Sequence, residues 1–519
     1  MLLEATTIKV SIGDRLLIDV GHLDIQKGDR IGLVGKNGSG KTTLLKGLAG
    51  DISFEGGVVA TYTTCELLPQ LKRTDITKSG GEITQEYINK VLMKEPELLF
   101  ADEPTTNLDT AHIEWLEKKL KNWKGAFVVV SHDRAFLDAL CTKIWEINKG
   151  SITEYKGNYT AYSEQKKIEQ EQDLAAYEKY EKKKRQLEEA LKAKEQKAER
   201  ATKTPKNVSK SEARITGAKP YFAKKQKKLQ KTGKAIETRL EKLDQVEKPK
   251  EAPPLKMNLP YQETFTGRIM LRVEDVSGMV GKRVLWEKTS FYIRGGDKVA
   301  IIGPNGSGKT TLVKKIINEE EGIILSPSMK IGYFSQNLTI LDPDKTILEN
   351  VRSTSIQDET LIRTILARLH FFREDVHKPI HVLSGGERVK VALAKLFVSN
   401  CNTLILDEPT NYLDTEAVEA LEALLTEYEG SVIFVSHDRR FIELVATRIV
   451  SFDHKKLEVF EGTYQQYQQH QPQETRDQTE DARMILDTKI SEVLSRLSID
   501  PSDELEKEFQ KLLEEKRKL

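Results

Sequence analysis

The chain repeats itself once, and this duplication limits its possible folds more than any other feature. The run GLVGKNGSGKTTLL from Gly32 recurs as AIIGPNGSGKTTLV from Ala300, and DEPTTNLD recurs as DEPTNYLD further along each half. A repeat of this length indicates two similar domains in tandem rather than one large core. With 519 residues, the chain is long enough for both domains.

The spacing of the repeated elements shows where the two copies differ. Matching residues are 266 positions apart at Gln70 and Gln336 but 305 positions apart at Ser79 and Ser384. The first copy therefore lacks 39 residues between Gln70 and Ser79. The short segment that remains cannot hold a full helical subdomain, so we expect two unequal copies.

Composition is typical of a soluble protein. Hydrophobic residues make up 38% of the chain and charged residues 31%, with a net charge of +1. There is no apolar run of membrane-spanning length, and the start MLLEATTIKVSIGD has neither the basic nor the apolar region of a secretory signal. We therefore expect a cytoplasmic location and no membrane partner.

Each copy contains a glycine-rich loop between a predicted strand and a predicted helix. In such a loop, backbone N–H groups surround phosphates at a helix N-terminus, the lysine reaches the outer phosphates, and the first threonine ligates Mg²⁺. The candidate residues are Gly35, Lys36, Asn37, Gly38, Ser39, Gly40, Lys41, Thr42 and Thr43, and then Gly303, Pro304, Asn305, Gly306, Ser307, Gly308, Lys309, Thr310 and Thr311. Two nucleotide sites are predicted, with Thr42 and Thr310 as metal ligands.

A buried strand ends in paired carboxylates in each copy. The run ELLFADE ends in Asp102 and Glu103, and NTLILDE ends in Asp407 and Glu408. A parallel strand of this kind delivers both carboxylates beside the phosphates. We expect the aspartates to hold Mg²⁺ and the glutamates to act as catalytic groups that polarise the attacking water.

A histidine follows each glutamate after 29 residues. His132 and His437 both lie in the sequence VSHDR at the end of an apolar run. A single histidine would more often have a structural role. Two at equal spacing favour a catalytic contact to the terminal phosphate.

The order of P-loop, Gln, SGGE, Asp-Glu, Asp and His resembles the ATP-binding-cassette ATPases. In that family, two cassettes enclose two ATP molecules head to tail, so the SGGE of one copy completes the site of the other. The resemblance assigns Ser384, Gly385 and Gly386 to the site of Lys41, and Ser79, Gly80 and Gly81 to the site of Lys309. It makes Gln70 and Gln336 further Mg²⁺ ligands, and it places Asp109 and Asp414 in the loops between the sites. Pairing within one chain implies a monomer.

Two departures from the cassette pattern affect the predicted sites. Cassettes stack adenine on an early aromatic residue, but only aliphatic residues stand around Ile12 and Val280, so the base preference stays open. The second signature continues as SGGERVKVALAKLF with Arg388, whereas the first continues as SGGEITQEYINKVL. The two ATP sites are therefore expected to be unequal.

A helical hairpin is predicted between the two copies. Tyr180, Leu187, Leu191 and Ala198 follow each other at coiled-coil spacing, which predicts a helix over roughly residues 160–203 and on the order of 65 Å long. A second helix carries Leu229, Ile236, Leu240 and Leu243 on one face. Pro205, Gly217 and Pro220 predict the tip of the hairpin between these helices.

The charge of this hairpin indicates its partner. Residues 192–234 contain fifteen Lys or Arg and three acidic residues, a local balance of +12 in a chain of net charge +1. A solvated helix face is the ordinary explanation of such a run. Acidic residues become sparse towards the tip, which favours a polyanion, and the few aromatic residues there favour structured RNA over a single strand.

Two cassettes with a basic hairpin between them resemble the ABC-F proteins. The short first cassette, the linker EQKAERATKTPKNVSKSEARITGAKPYFAKKQKKL and the segment before the second signature are similar to the Vga group of antibiotic-resistance ABC-F proteins. The resemblance implies binding to the exit-tRNA site of the ribosome, near large-subunit rRNA of the peptidyl-transferase centre and the initiator or peptidyl tRNA. It implies protection against lincosamides, streptogramin A compounds and pleuromutilins. The RNA-proximal tip residues would be Lys206, Lys210, Ser211, Arg214, Thr216 and Lys219.

The predicted architecture is an α/β chain of two tandem ABC-type P-loop ATPase domains. The boundaries are 1–158 for the first cassette, 159–258 for the hairpin linker, 259–470 for the second cassette and 471–519 for a C-terminal helical hairpin. Three alternatives stay open at this point: a housekeeping ABC-F translation factor, the soluble ATPase of a transporter, and an ATP-gated coiled-coil clamp on DNA. The 39 residues missing from the first copy count against the transporter, and the shortness of the hairpin counts against the clamp.

Overall fold

The computed structural model describes most of the two repeated copies. The described residues are 1–12, 15–70, 80–106, 108–202, 218–243, 267–281, 283–335, 340–470, 506 and 509–512. Several predicted features lie outside these ranges. They are Ser79, Gln336, the tip residues from Lys206 to Thr216, the boundary between residues 258 and 259, and nearly all of the C-terminal hairpin.

The first copy folds as an α/β domain with two sheets. The larger sheet has six strands in the order β5-β6-β7-β3-β8-β9, all parallel except β9, and the smaller is an antiparallel sheet in the order β2-β1-β4. The strands are β1 Leu3–Ile12, β2 Arg15–Ile25, β3 Arg30–Gly35, β4 Gly56–Thr61, β5 Cys65–Leu68, β6 Leu98–Asp102, β7 Ala126–Val130, β8 Lys143–Asn148 and β9 Ser151–Lys156. The helices are α1 Lys41–Ala49, α2 Gly80–Leu92, α3 Thr110–Lys121 and α4 Arg134–Leu140.

Continuous apolar runs explain the central strands of this sheet. Every residue of β6 and β7 is buried, as expected for parallel strands covered on both faces. One face packs against α1 and the antiparallel sheet, and the other packs against α2, α3 and α4. Two buried faces leave the carboxyl ends of the strands as the place where polar side chains can collect.

The second copy repeats this topology. Its sheets have the orders β14-β15-β16-β12-β17-β18 and β11-β10-β13. The strands are β10 Ile269–Val280, β11 Arg283–Arg294, β12 Lys298–Ile302, β13 Ile323–Leu325, β14 Ile331–Phe334, β15 Thr403–Asp407, β16 Ser431–Val435, β17 Arg448–Asp453 and β18 Lys456–Glu461. The prediction of two tandem α/β cassettes is therefore confirmed.

A helical segment lies between β14 and β15, in the interval where the first copy is shorter. It contains helices α8 Ile347–Arg352, α9 Glu359–Arg368 and α10 Gly385–Val398, with short 3-10 turns at Arg373–His377 and Ile380–Val382. Ser384 caps α10 through a reciprocal arrangement with Glu387. The other helices of this copy are α7 Lys309–Ile317, α11 Thr415–Glu427, α12 Arg439–Val445 and α13 Tyr464–His470.

Contacts between residues divide the chain into two compact units. The first contains Met1–Asn258 together with Leu338–Ser399 and Asn411–Leu424, and the second contains the remainder. The helical segment of the second copy and most of α11 thus pack in the same unit as the first cassette. The first P-loop and the second SGGE therefore lie within one unit.

The helical hairpin is confirmed by two long helices after the first cassette. They are α5 Tyr159–Thr202, with 44 residues and a length of about 66 Å, and α6 Ala218–Glu241. The predicted tip is wrong at its C-terminal end, because Pro220 lies in the first turn of α6 rather than in the tip. The N–H groups of a first turn have no partner within the helix, so proline costs no hydrogen bond there.

Among the described residues, no helix combines the length and the apolar character that crossing a membrane requires.

Candidate nucleotide-binding sites

The two glycine-rich loops have the same geometry. Each begins at the end of a central strand and leads into a helix whose N-cap is a glycine in the left-handed region, Gly40 with φ 100° and Gly308 with φ 107°. The side chains of Lys41 and Lys309 are nearly buried and fold back over their loops. The Nζ atom of Lys41 donates to the carbonyl of Gly35 at 2.7 Å, and that of Lys309 donates to the carbonyl of Gly303 at 2.8 Å.

An unsatisfied hydroxyl in each loop fits a phosphate ligand. Among the described residues, the Oγ atoms of Ser39 and Ser307 are buried and have no hydrogen-bond partner. Such a group costs free energy unless something accepts its hydrogen bond. A phosphate oxygen in the loop would be that acceptor, so the loops suit the ligand that the sequence predicts.

Adjacent parallel strands bring the predicted catalytic groups of the first copy together. Asp102 at the end of β6 is in register with Val130 at the end of β7, and the N–H of Glu103 donates to the carbonyl of Val130 at 2.9 Å. His132 follows β7, and its Nε2 atom lies 3.3 Å from Oε1 of Glu103. Glu103 and His132, 29 residues apart in sequence, therefore meet because the strands that precede them are neighbours in the sheet.

The second copy repeats this arrangement. Asp407 is in register with Val435, and Nε2 of His437 lies 3.4 Å from Oε1 of Glu408. The hydroxyl of Thr310 donates to Oδ1 of Asp407 at 3.4 Å, and Thr42 makes the matching hydrogen bond to Asp102. A hydroxyl beside a buried carboxylate at a phosphate loop is an oxygen-donor set that Mg²⁺ prefers.

Burial changes the acidity of these groups. It raises the pKa of Glu103 to about 8 and that of Glu408 to about 8, although the neighbouring lysine ammonium acts in the opposite direction. Burial also raises the pKa of Asp102, and it lowers that of His132 to about 3. His132 is therefore neutral at physiological pH, and each glutamate is tuned by its environment as is typical of functional sites.

The backbone of both glutamates is strained. Glu103 and Glu408 each have φ 52°, in the left-handed region that side chains other than glycine seldom occupy. Such a conformation costs on the order of 1–2 kcal/mol and persists only where the surroundings hold it. The same strain at both equivalent positions indicates that it aims the carboxylates in a defined direction.

A cavity of about 380 Å³ joins these groups in the first copy. Its volume is in the range of small-ligand sites. The lining residues are Leu17, Asn37, Gly38, Gly40, Lys41, Thr42, Thr43, Gln70, Asp102, Glu103, Val130 and His132. Gln70 thus lies in the same cavity as the residues it was predicted to join.

The second SGGE lies beside the first P-loop. A Cβ atom placed on Gly386 would be 3.0 Å from Nδ2 of Asn37 and 2.6 Å from the carbonyl oxygen of Tyr412. Asn37 also donates through its backbone N–H to Oδ2 of Asp414 at 3.1 Å, and through Nδ2 to the Tyr412 carbonyl at 2.9 Å. The structure thus brings together residues of both copies that the head-to-tail prediction assigns to one site.

Other predicted site residues lie at helix N-termini or outside the described residues. Gly80 and Gly81 begin α2, the side chain of Ser384 is engaged in capping α10, and Gly385 has open space around it. Ser79 and Gln336 lie outside the described residues, so the predicted partner of the Lys309 site stays a prediction.

Sequence reasoning missed two residues that hold the loop at Asp414. Nζ of Lys390, a buried residue of α10, lies 3.5 Å from Oδ1 of Asp414. Burial alone would raise the pKa of Asp414, but Lys390 and the N–H groups of Asn37 and Ala417 outweigh it and lower that pKa. The signal for Lys390 was a lysine within the apolar helical run VKVALAKLF. Nothing in the sequence pointed to the carbonyl of Tyr412.

Aliphatic side chains lie beside the first P-loop. Leu17 lines the first cavity, and Ile18 and Leu17 lie against Gly40. Trp286 stands near the matching glycine of the second copy, but it is fully buried and packs edge-to-face on Phe452. Trp286 is therefore a core residue and offers no exposed face for stacking.

Comparison with known proteins agrees with this arrangement. The ABC transporter family model matches residues 19–75 and 286–411. The ribosome protection protein VmlR of Bacillus subtilis (strain 168) is 32% identical over 98% of this chain and 96% of its own length. The erythromycin resistance ATP-binding protein MsrA of Staphylococcus epidermidis is 33% identical over 86% of this chain and 97% of its own.

The fold also has a counterpart among solved structures. The archaeal ribosome recycling factor aABCE1, solved with the ribosomal stalk protein aP1, matches with a TM-score of 0.58 and 19% identity, over 88% of this chain and 90% of that one. At this identity the likeness concerns the fold alone. Fold and site together define an ATP-binding-cassette ATPase with two cassettes on one chain.

Within that class, the full-length relatives identify the group. The chain belongs to the ABC-F family.

Proposed function

We propose that this protein binds the ribosome in its ATP-loaded state, protects it from antibiotics that act at the peptidyl-transferase centre, and leaves after hydrolysis. The observation that carries the proposal is the similarity over 98% of the chain to a ribosome protection protein. The similarity to an erythromycin resistance protein supports the same role. The drug classes proposed are lincosamides, streptogramin A compounds and pleuromutilins.

The ATP chemistry is assigned to the residues at the ends of the parallel strands. The P-loop amides and Lys41 or Lys309 bind the phosphates, and Glu103 and Glu408 orient and polarise the attacking water. His132, which is neutral, and His437 both lie against these glutamates and contact the terminal phosphate. When bound, Mg²⁺ would neutralise charge on the phosphate oxygens. Thr42, Asp102 and Gln70 would hold it in the first site, and Thr310, Asp407 and Gln336 in the second.

The helical hairpin is assigned to RNA. Its local balance of +12 lies on residues 192–234, whereas the whole chain is nearly neutral. This segregation favours contact with phosphate-rich RNA, and α5 has the length to bring the tip far from its root. We place the tip near large-subunit rRNA at the peptidyl-transferase centre, with the protein in the exit-tRNA site beside an initiator or peptidyl tRNA. The protein acts as a cytoplasmic monomer.

A translation assay tests the proposal directly. Purified ribosomes would translate a reporter in the presence of a lincosamide, a streptogramin A compound or a pleuromutilin. Each reaction would be run with this protein and ATP and again without them. We expect the protein to restore synthesis with at least one of these drugs. Ribosome binding without any restored synthesis would favour a housekeeping translation factor.

A pair of charge variants tests the role of the tip. Lys206→Gln with Lys210→Gln removes two charges from the predicted tip, and Lys182→Gln with Lys183→Gln removes two from the exposed middle of α5. We expect the first pair to reduce drug protection and the second to retain it. Equal losses in both pairs would mean that total charge matters rather than the tip.

A further inference from the structure

Helix α4 connects the first ATP site to the root of the helical hairpin. It begins two residues after His132, where Asp133 caps it by accepting from the N–H of Phe136 at 3.0 Å. Near its other end, Asp138 accepts from the N–H of Thr160 at 2.7 Å and from its hydroxyl at 2.6 Å. Thr160 is the second residue of α5. One end of α4 therefore adjoins His132, and the other end contacts the first turn of α5.

Helix α11 of the second copy also contacts both the first P-loop and the first turn of α5. At its start, Glu416 forms an ion pair with Lys36 of the first P-loop at 3.0 Å, next to the Asp414 that binds Asn37. One turn further, Oε1 of Glu419 lies 3.6 Å from Nη1 of Arg134 and accepts from the hydroxyl of Tyr159 at 3.3 Å. Tyr159 is the first residue of α5.

The ion pair beside Glu419 fixes the position of α11. The guanidinium of Arg134 is 1% exposed and makes two hydrogen bonds to Glu422, which is itself buried. A buried ion pair of this kind is costly to break. Glu419 is different, because 44% of its side chain is exposed and it can leave Arg134 and Tyr159 for water.

We propose that Glu419 is a relay residue that couples nucleotide binding at the first site to the root of the hairpin. When ATP holds the loop of Asp414 against the P-loop, Glu419 is seated between Arg134 and Tyr159 and fixes the first turn of α5. When this loop leaves the P-loop, Glu419 leaves Tyr159, and the root of α5 is released. The inference rests on the proposed first nucleotide site.

The packing around Tyr159 allows the relay to be separated from simple core packing. The ring of Tyr159 is 4% exposed and lies edge-to-face on Tyr162, with ring centroids 5.5 Å apart. Tyr159→Phe keeps this ring and removes only the hydroxyl that meets Glu419. Glu419→Gln keeps the shape of the side chain and removes its charge.

Hydrogen exchange of the full chain measures both ends of the relay at once. The parent would be the Glu103→Gln, Glu408→Gln variant, compared with and without ATP and Mg²⁺. We expect ATP to slow exchange in the P-loop and in amides 160–166. In the parent carrying Glu419→Gln or Tyr159→Phe, P-loop protection should remain. The ATP-dependent protection of amides 160–166 should fall about 10- to 100-fold in Tyr159→Phe, which loses a hydrogen bond to a charged group. It should fall by a smaller factor in Glu419→Gln, whose amide oxygen still accepts from Tyr159 but carries no charge.

Matched controls lie on the same helix. Glu164→Gln removes a charge from an exposed residue near the root of α5, and Tyr177→Phe removes a hydroxyl further along it. Both should retain the protection of amides 160–166 seen in the parent.

The possible failures are distinguishable. If ATP does not slow exchange in the P-loop of the parent, the proposed nucleotide site is wrong, and the relay that depends on it is wrong as well. If ATP protects the P-loop but not amides 160–166, the site stands and the relay is overturned. The relay is equally overturned if Glu419→Gln and Tyr159→Phe keep the full protection, or if the control variants lose it to the same extent.

Discussion

At the scale of single residues, the two glutamates after β6 and β15 combine strain, burial and a perturbed pKa. Each has φ 52°, and each lies within 3.4 Å of a histidine of its own copy. Neither strain nor burial helps folding. We therefore attribute the arrangement to hydrolysis.

Replacing both glutamates tests this assignment. The Glu103→Gln, Glu408→Gln variant should bind ATP but release phosphate about 10²- to 10⁴-fold more slowly, since this is the usual contribution of a general base. The single variants should differ from each other, because the two copies carry different signatures. Phosphate release measures the effect, and Glu66→Gln, which breaks only an exposed ion pair with Lys94, is the control. Unchanged turnover in the double variant would exclude the glutamates as the catalytic groups.

Gly386 is a second residue whose identity is determined by its neighbours. An added Cβ would lie 2.6 Å from the carbonyl oxygen of Tyr412, a distance that backbone atoms cannot accept without a shift. Gly386→Ala should therefore displace α10 from Asn37 and lower the melting temperature in the presence of ATP. At Gly385 the same atom meets nothing within 4 Å, so Gly385→Ala should lower it less. Equal melting temperatures for the two variants would contradict the close approach.

At the scale of elements, the pair between α4 and α11 predicts a large effect on stability. Arg134→Met removes the guanidinium that pairs with the buried Glu422, and breaking a buried ion pair typically costs about 3–5 kcal/mol. The first transition in chemical denaturation of the full chain should shift accordingly. Arg363→Gln breaks an exposed pair with Glu359 on α9 and should cost less than about 1 kcal/mol. Similar shifts for both variants would mean that the Arg134 pair contributes no more than a surface pair.

The hairpin offers a stabilising change. Gly233 lies inside α6, where an added Cβ would be 3.8 Å from Cδ1 of Leu191, an ordinary packing distance. Gly233→Ala should stabilise the hairpin by about 0.5–1 kcal/mol through helix propensity, seen as slower hydrogen exchange in α5 and α6. Gly50→Ala should have the opposite sign on α1, because Gly50 caps that helix with φ 85°. Faster exchange in Gly233→Ala would show that the seam has no room there.

Elements that are determined by local sequence could be predicted, and contacts that form only in the tertiary fold could not. β6 and β15 are continuous apolar runs that end in charges, and the P-loops need glycine at fixed positions, so local sequence determines both. The start of α6 was misplaced because proline is tolerated in a first turn, which composition does not reveal. Tyr412 contributes a backbone carbonyl, and no side-chain pattern encodes such a contact. Lys390 and Arg134 acquire their partners only through the tertiary fold.

At the scale of the whole molecule, the duplication explains more than the individual motifs. Two copies with one sheet order give two sets of phosphate-binding and carboxylate residues. The longer interval after Gln336 holds α8 and α9 in the second copy, ahead of α10, whose counterpart in the first copy is α2. The helical segment of the second copy packs in the same unit as the first cassette. The first site can therefore draw residues from both copies within one chain.

We propose that ATP binding switches this protein onto the ribosome. Ribosome co-sedimentation tests it most directly, comparing the wild-type chain with the Glu103→Gln, Glu408→Gln variant, with and without ATP. We expect the variant to pellet with ribosomes only when ATP is present. The wild type should pellet to a smaller extent because it hydrolyses ATP and leaves. A variant that binds ATP but stays in the supernatant would contradict the ribosome assignment and the drug protection that depends on it.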